Sequence, residues 1–412
     1  MSHPTSAADL ERLVAQVWRP TAAGKDSAAV SWGPPPRGYR VVERYGAVPS
    51  RSRARFLVPL GVPAVLRSAF GPHHTTDSTS ARLLGHLIAW GSQVPGSDQL
   101  LRSRLTMSVP DRTSGGRETQ LLLLAHLEAE LGAQDLVAVL PVRRVTPNAK
   151  PTLRLFSRDG TAVGYVKVGW SPATRRIVDN EAATLRAVHG RLRTLDAPAL
   201  TAAGDWLGQR FAVAEALPAG VSPWRIDPAA AARHLLDIAA SGHESAGPLH
   251  ASTYAAGVRH RLTTVERAEP EAAAVLIGLL DRLVARDPQL RFGRWHGDWV
   301  PWNVGQKSGR LVAWDWEYSA PSVPIGLDLL HWHFQQALPR TGTLQGALAA
   351  LDDATPSLSS VGVAPEHHGA VGSLYLLEMF TRAAELAAEG SGWNPRIFPA
   401  MLSAAKRREH GP

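Results

Sequence analysis

One stretch constrains this chain more than any other: Arg294-Trp-His-Gly-Asp-Trp-Val-Pro-Trp-Asn303, followed by Leu311-Val-Ala-Trp-Asp-Trp-Glu317. Asp298 and Asn303 stand five residues apart on a segment that reads as a tight loop, and Asp315 follows twelve residues later at the end of a short apolar strand. Turns favour Asp and Asn for local reasons, because both side chains bond to nearby backbone. A surface turn alone leaves unexplained a second Asp behind the β-like run Gly309-Arg-Leu-Val-Ala-Trp314. Phosphoryl transfer from a nucleotide uses this set of groups. One carboxylate orients a hydroxyl and accepts its proton, while an amide and a second carboxylate hold Mg²⁺ on the phosphates. Gly297 lets the loop backbone turn where a Cβ would clash.

The spacing H-x-D-x-x-x-x-N, then an Asp after a hairpin, is that of the protein-kinase catalytic and metal loops. The Gly after the His and the Asp-Trp-Glu ending resemble the aminoglycoside phosphotransferase/choline kinase family more closely. The resemblance covers roughly residues 118 to 400. It implies an α+β, bilobal protein-kinase-like fold with a small β-rich N-lobe and a helical C-lobe. It also implies ATP or GTP with Mg²⁺ as cofactors and a small-molecule hydroxyl as acceptor. Asp298 is then the catalytic carboxylate, and Asn303 and Asp315 are the metal ligands. His296 braces the loop, Glu317 touches the metal or stabilises the loop, and Asp328 resembles the family's structural Asp behind the catalytic loop.

A kinase also needs a lysine on a strand and a glutamate on the next helix to hold it. Thr152–Ser157 and Ala162–Val168 are β-rich runs joined by Arg158-Asp-Gly-Thr161, and Asp-Gly is a strong hairpin signal. Lys167 lies near the end of the second run. A helix is expected over Ala173–His189, with Val178, Leu185 and Val188 as its core-facing stripe and Glu181 as the partner of Lys167. Only five of the 44 basic residues are lysines, and Lys167 is the only one between positions 151 and 306. Lysine is a compact point charge, suited to phosphate in a different way from the planar guanidinium.

Beyond the helix, strands are expected over Ala197–Trp206 and Arg210–Leu217, the second running into a hinge that Pro218 and Gly220 terminate. Glu215 and Leu217 would flank the purine. One element departs from the protein-kinase pattern. The turn Arg144-Val-Thr-Pro-Asn-Ala-Lys-Pro151 has no glycine, so backbone N–H groups lack the usual freedom to approach phosphate. Lys150 and Asn148 are candidates to replace them. The missing glycines also support a rival reading, a non-catalytic nucleotide-binding pseudokinase or scaffold. The full set of Lys167, Glu181, Asp298, Asn303 and Asp315 weighs against it.

Composition bounds the partners. The chain has 412 residues, enough for two cores, and no cysteine, which excludes disulfides and thiolate metal sites. No apolar run approaches the roughly 20 residues that span a bilayer. The first residues lack a signal-peptide pattern, and a cytoplasmic location is expected. Net charge is +8 with a pI near 10.2, which raises nucleic acid as a partner. Its distribution argues against that. The segment 221–292 holds eight acids and eight bases, and the basic excess gathers at Arg37, Arg40, Arg44, Arg51, Arg53, Arg55 and Arg67 without a nucleic-acid motif. The region behind the hinge is thus charge-balanced. A polycationic aminoglycoside would want a carboxylate-rich site, so a sugar or polyol acceptor is favoured over an aminoglycoside.

Three regions follow. Residues 1–115 are an N-terminal α/β extension of unknown role. They carry a helix at Ala8–Trp18, strands at Arg40–Tyr45 and Arg55–Pro59, helices at Val62–Phe70 and Ser80–Trp90, and a loop at Ser108–Gly116. Residues 116–217 form the N-lobe, opening with a helix at Glu118–Leu131 and the strand Leu136–Leu140. Residues 218–412 form the C-lobe, with helices at Pro228–Ala240, Ala251–Arg267, Glu271–Arg286, Leu327–Leu338, Gly342–Leu351 and Gly372–Glu389. His331-Trp-His333 reads as core or cleft histidine before it reads as a metal pair. Most of Trp299, Trp302, Trp314, Trp316 and Trp332 read as core.

Overall fold

The computed structural model describes residues 6–18, 27–70, 88, 90–91, 103–143, 149–224, 231–388 and 402–407. The expected helix at Ser80–Trp90 falls almost wholly outside these residues. So do Asn148, the start of the helix expected from Pro228, and Glu389. The chain is α+β and divides into two compact units, Met1–Ala182 with Pro198–Ser222, and Ala183–Ala197 with Pro223–Pro412. The first unit therefore runs across position 115, and the division between units falls within the helix Pro172–Val188. Among the described residues no helix is long and apolar enough to cross a membrane.

The first unit is built on one nine-stranded sheet. In spatial order its strands are Ala29–Trp32, Arg104–Pro110, Tyr39–Val48, Phe56–Pro59, Leu136–Pro141, Thr152–Ser157, Ala162–Gly169, Gln209–Glu215 and Leu200–Trp206, each antiparallel to its neighbours. The join between the two halves is short: Phe56 pairs with Pro141 and Leu57 with Leu140. The helix Ala7–Val17 opens on a capping box, in which Ser6 and Asp9 each satisfy the other's backbone N–H. It buries Leu10, Leu13, Val14 and Val17, spaced to form one stripe, in a core shared with Tyr45, Leu105, Met107, Leu140, Val166 and Phe211.

The Asp-Gly turn forms as read. Thr152–Ser157 pairs with Ala162–Gly169, and Gly160 takes φ +91° where an added Cβ would lie 2.7 Å from the Ala64 carbonyl oxygen. Two sequence expectations change. Ser108–Pro110 belongs to a strand, not a loop, because Ser108 pairs with Ala29 on one side and Ser108–Pro110 pairs with Tyr39–Val41 on the other. The helix expected over Glu118–Leu131 is two helices, Gly115–Leu121 and Leu123–Leu131, broken by Leu122 in an extended conformation.

The second unit is mainly helical. Thr253–Glu266, Pro270–Arg286 and His368–Leu386 pack together, and Leu327–Thr341 packs against Leu344–Ala354 and against His368–Leu386. A three-stranded antiparallel sheet, Ser245–Pro248, Gln289–Trp295 and Ala320–Pro324, and the hairpin Val304–Lys307/Arg310–Ala313 complete it. These short strands escape a periodicity reading, yet Gln289–Trp295 delivers the chain into the loop 296–303.

Candidate active site

In the first unit, Lys167 sits on Ala162–Gly169 opposite Thr152 on one side and Ala212 on the other. The helix Pro172–Val188 starts where Ser171 accepts from the Thr174 N–H, and it seats Val178 and Ala182 against Ala212. That register carries Glu181 to the lysine. Lys167 Nζ lies 2.6 Å from Glu181 Oε2, with the lysine side chain 14 % exposed and the glutamate 6 %. So enclosed a pair is held against solvent competition, unlike a surface ion pair. Glu215 is exposed at the end of its strand, where its carboxylate accepts from the Ala199 N–H, and Leu217 is half-buried beyond it. Lys150 is half-buried between Ala149 and Thr152.

In the second unit, residues 296–303 leave the strand Gln289–Trp295 and enter Val304–Lys307. The loop is held from three sides. Asp328, in the first turn of Leu327–Thr341, accepts from the His296 N–H at 2.6 Å and the Gly297 N–H at 2.9 Å. Burial pushes its carboxyl up to about 6 against those two donors. His296 is fully buried against Trp316 and accepts the Asp298 N–H on Nδ1 at 3.2 Å. Burial brings its pKa down to about 4, despite the charges of Asp298 and Asp315, so it is a neutral brace at physiological pH. Arg382 donates from Nη1 to the Gly297 carbonyl at 2.8 Å, and its guanidinium stacks on Trp295 and Tyr318.

Asp298 itself is held at both carboxylate oxygens. Asn303 Nδ2 donates to Oδ2 at 2.8 Å and to the Asp298 backbone carbonyl at 3.0 Å, while His331 Nε2 lies 3.1 Å from Oδ1. With Nδ2 committed to Asp298, the Asn303 amide oxygen is the atom of that side chain that could hold a cation. Asp315 follows Arg310–Ala313 with φ +69°, in the left-handed region that Asp tolerates better than most residues. Asp315 and the buried Glu317 bring a carboxylate oxygen each within 4.8 Å of the other. Mg²⁺ is held through one or two carboxylates plus phosphate oxygens, so this donor set fits it.

Sequence reasoning named His331 as core or cleft, and the structure buries it against Asp298. It missed the group behind the loop. Tyr375, Glu378 and Arg382 recur at spacings of three, four and seven on His368–Leu386, which is one helical face. Glu378 is buried between Arg261 and Arg382, at 2.8 and 3.0 Å. Burial alone would raise its carboxyl, but the two guanidiniums hold it below the usual range. Charged residues on one face of an otherwise apolar helical run were the available signal. Of the tryptophans, Trp299, Trp316 and Trp332 are core, and Trp302 is 46 % exposed.

No protein-family model matches the sequence, and no curated protein does. The chain is similar in structure to solved kinases of small molecules. One is an amicoumacin kinase in complex with AMP-PNP, at 12% identity over 70% of this chain and 92% of that one, with a TM-score of 0.41. A choline kinase from Cryptosporidium parvum aligns at 11% identity over 67% of this chain and 89% of its own, with a TM-score of 0.40. A glucosamine kinase aligns at 16% identity over 96% of both chains, with a TM-score of 0.31.

Proposed function

We propose that this protein is a phosphotransferase that moves the γ-phosphoryl group of ATP, or GTP, to a hydroxyl of a small molecule. The observation that carries the reading is the Asp298 carboxylate, held at one oxygen by Asn303 and at the other by His331, on a loop that Asp328 and Arg382 brace. The acceptor hydroxyl approaches Asp298, which orients it and takes its proton. The bond from the γ-phosphorus to the β-phosphate oxygen breaks as the bond to the acceptor oxygen forms. Asn303 and Asp315 would hold Mg²⁺, with Glu317 beside them, and that ion would supply charge neutralisation on the phosphate oxygens. Lys167, kept in place by Glu181, binds the phosphates, and Glu215 and Leu217 flank the purine. Most of the acceleration is positioning and charge stabilisation rather than covalent chemistry.

The acceptor in this reading is neutral or weakly charged, a sugar or polyol rather than an aminoglycoside, because residues 221–292 carry equal numbers of acids and bases. A metabolite screen coupled to ADP release tests it. Efficient turnover of kanamycin-like compounds alone would remove the acceptor preference and leave the phosphotransferase standing. Asp298→Asn tests the mechanism. It should keep nucleotide affinity and lose turnover by about 10² or more, and full turnover by that variant would overturn the role given to Asp298.

A further inference from the structure

We propose that His331, fixed by Tyr375, is a positioning residue that aims the Asp298 carboxylate at the acceptor hydroxyl. This rests on the assignment of Asp298 as proton acceptor. His331 lies one turn beyond Asp328 on the same helix and is 2 % exposed, and both of its ring nitrogens have partners. Nδ1 is 3.0 Å from the Tyr375 hydroxyl and Nε2 is 3.1 Å from Asp298 Oδ1.

The chain of bonds has a direction. Tyr375 is fully buried, and burial holds its hydroxyl well above the usual tyrosine range, with Arg382 opposing and Asp298 and Asp328 adding to the rise. The hydroxyl therefore keeps its proton and donates it. A neutral imidazole donates through one nitrogen and accepts through the other. If Nδ1 accepts from Tyr375, the ring proton sits on Nε2, facing Asp298 Oδ1. The opposite tautomer would set an imidazole lone pair against a carboxylate lone pair. Of the two tautomers of the neutral ring, the one with Tyr375 O–H to Nδ1 and Nε2–H to Oδ1 makes both contacts hydrogen bonds.

The consequence is geometric. Asn303 fixes Oδ2 and His331 fixes Oδ1, so the carboxylate plane is set before any acceptor arrives. The remaining lone pairs then point in a fixed direction. A misplacement of about 1 Å at a reacting group can cost on the order of 10² in rate. His331 moves no proton in this account. It keeps Asp298 from rotating, and Tyr375 keeps His331 in the tautomer that can do so.

Two readouts test this. The first needs no turnover. In protein labelled with ¹⁵N-histidine, with His331 assigned through His331→Gln, long-range ¹H–¹⁵N spectra report which ring nitrogen carries the proton. The expected result is the Nε2–H tautomer, with that preference weakened in Tyr375→Phe and in Asp298→Ala. A dominant Nδ1–H tautomer, or the same tautomer balance in all three proteins, overturns the proposal. Because this readout is independent of activity, it stands apart from a screen in which no acceptor yields ADP, which would overturn the kinase reading instead. The second readout uses the acceptor that the screen identifies. His331→Leu should lower kcat by about tenfold or more, with KM for ATP within about twofold. His331→Gln, whose amide N–H can reach the same oxygen, should recover most of that loss. Equal losses in both variants alongside equal losses of thermal stability, or an effect confined to KM, would show a merely structural histidine.

Discussion

Gly297 shows how little freedom the loop 296–303 has. It sits at φ +82°, and an added Cβ would lie 2.2 Å from the Tyr318 carbonyl oxygen and 2.6 Å from its carbon. Both atoms are backbone, so neither can swing aside. The same residue donates its N–H to Asp328 and its carbonyl receives Arg382, so any shift that relieves the clash strains a hydrogen bond. Gly297→Ala should therefore cost about 1–3 kcal/mol of stability and lower kcat by more than the stability loss explains, because Asp298 is the next residue. Circular-dichroism melting with turnover measured well below Tm separates the two effects. Wild-type turnover in a folded Gly297→Ala protein would show that the loop has slack. At this scale much was legible from sequence. Glycine before Asp298, Asn five positions on and Asp315 after an apolar run each have a chemical reason. The partner of Asp298 from another element was not legible, because His331 lies 33 residues downstream of Asp298 and its contact is set by packing.

A single element, the helix His368–Leu386, ties the loop to the rest of the second unit. Its apolar residues Val371, Leu374, Leu377 and Phe380 build the core, and the face that carries Tyr375, Glu378 and Arg382 does the polar work. Glu378 is the joint of that face, accepting from Arg261 on Thr253–Glu266 and from Arg382 four residues on. Removing one member of a buried ion group leaves the others buried and uncompensated. Glu378→Gln should lower stability by about 3 kcal/mol. Glu385→Gln, whose carboxylate bonds the same Arg261 but is 30 % exposed, should cost under about 1 kcal/mol. Equal denaturation midpoints for the two variants would show that burial does not separate them. The elements also mark where sequence reading runs out. Helices with a strong stripe, Pro270–Arg286 and Leu327–Thr341, lie within a few residues of where periodicity puts them. The break at Leu122 has no glycine or proline to announce it. Ser108–Pro110 reads as loop from composition, and becomes strand because two neighbouring strands need its backbone groups.

Across the whole molecule, what the sequence hid most was the first unit's sheet. Strands from the first 110 residues and from 136–215 share it through two residue pairs at Phe56–Pro141 and Leu57–Leu140, a non-local match that no local pattern encodes. On the sheet's strand Tyr39–Val48 lies Glu43, whose carboxylate accepts from Tyr45 at 2.8 Å. Burial raises its pKa to about 7, against the lowering effect of Tyr45 and with Glu128 adding to the rise. The folded protein thus holds a proton between about pH 4.5 and 7 that the unfolded chain has released. That contribution to stability is complete below the unfolded pKa and is lost as pH rises through the folded one. Glu43→Gln should flatten this part of the stability–pH curve, and an unchanged slope between about pH 5 and 7 would remove Glu43 as its source. The last prediction addresses whether the chain uses nucleotide at all. A ligand that binds only the folded state adds about 2.7 kcal/mol at a hundredfold excess over Kd, a Tm rise of roughly 5–10 °C for units of about 200 residues. If Lys167 binds phosphates and Asn303 and Asp315 hold Mg²⁺, ATP should raise Tm more with Mg²⁺ than without it. Asp315→Asn should abolish the Mg²⁺ increment, and Lys167→Met should weaken the response to ATP alone. A shift that ignores Mg²⁺ would favour a nucleotide-sensing pseudokinase. No shift with any nucleotide, in protein that melts cooperatively, would sink both readings together, because Lys167–Glu181 and the Asp298 loop would then have no phosphate to serve.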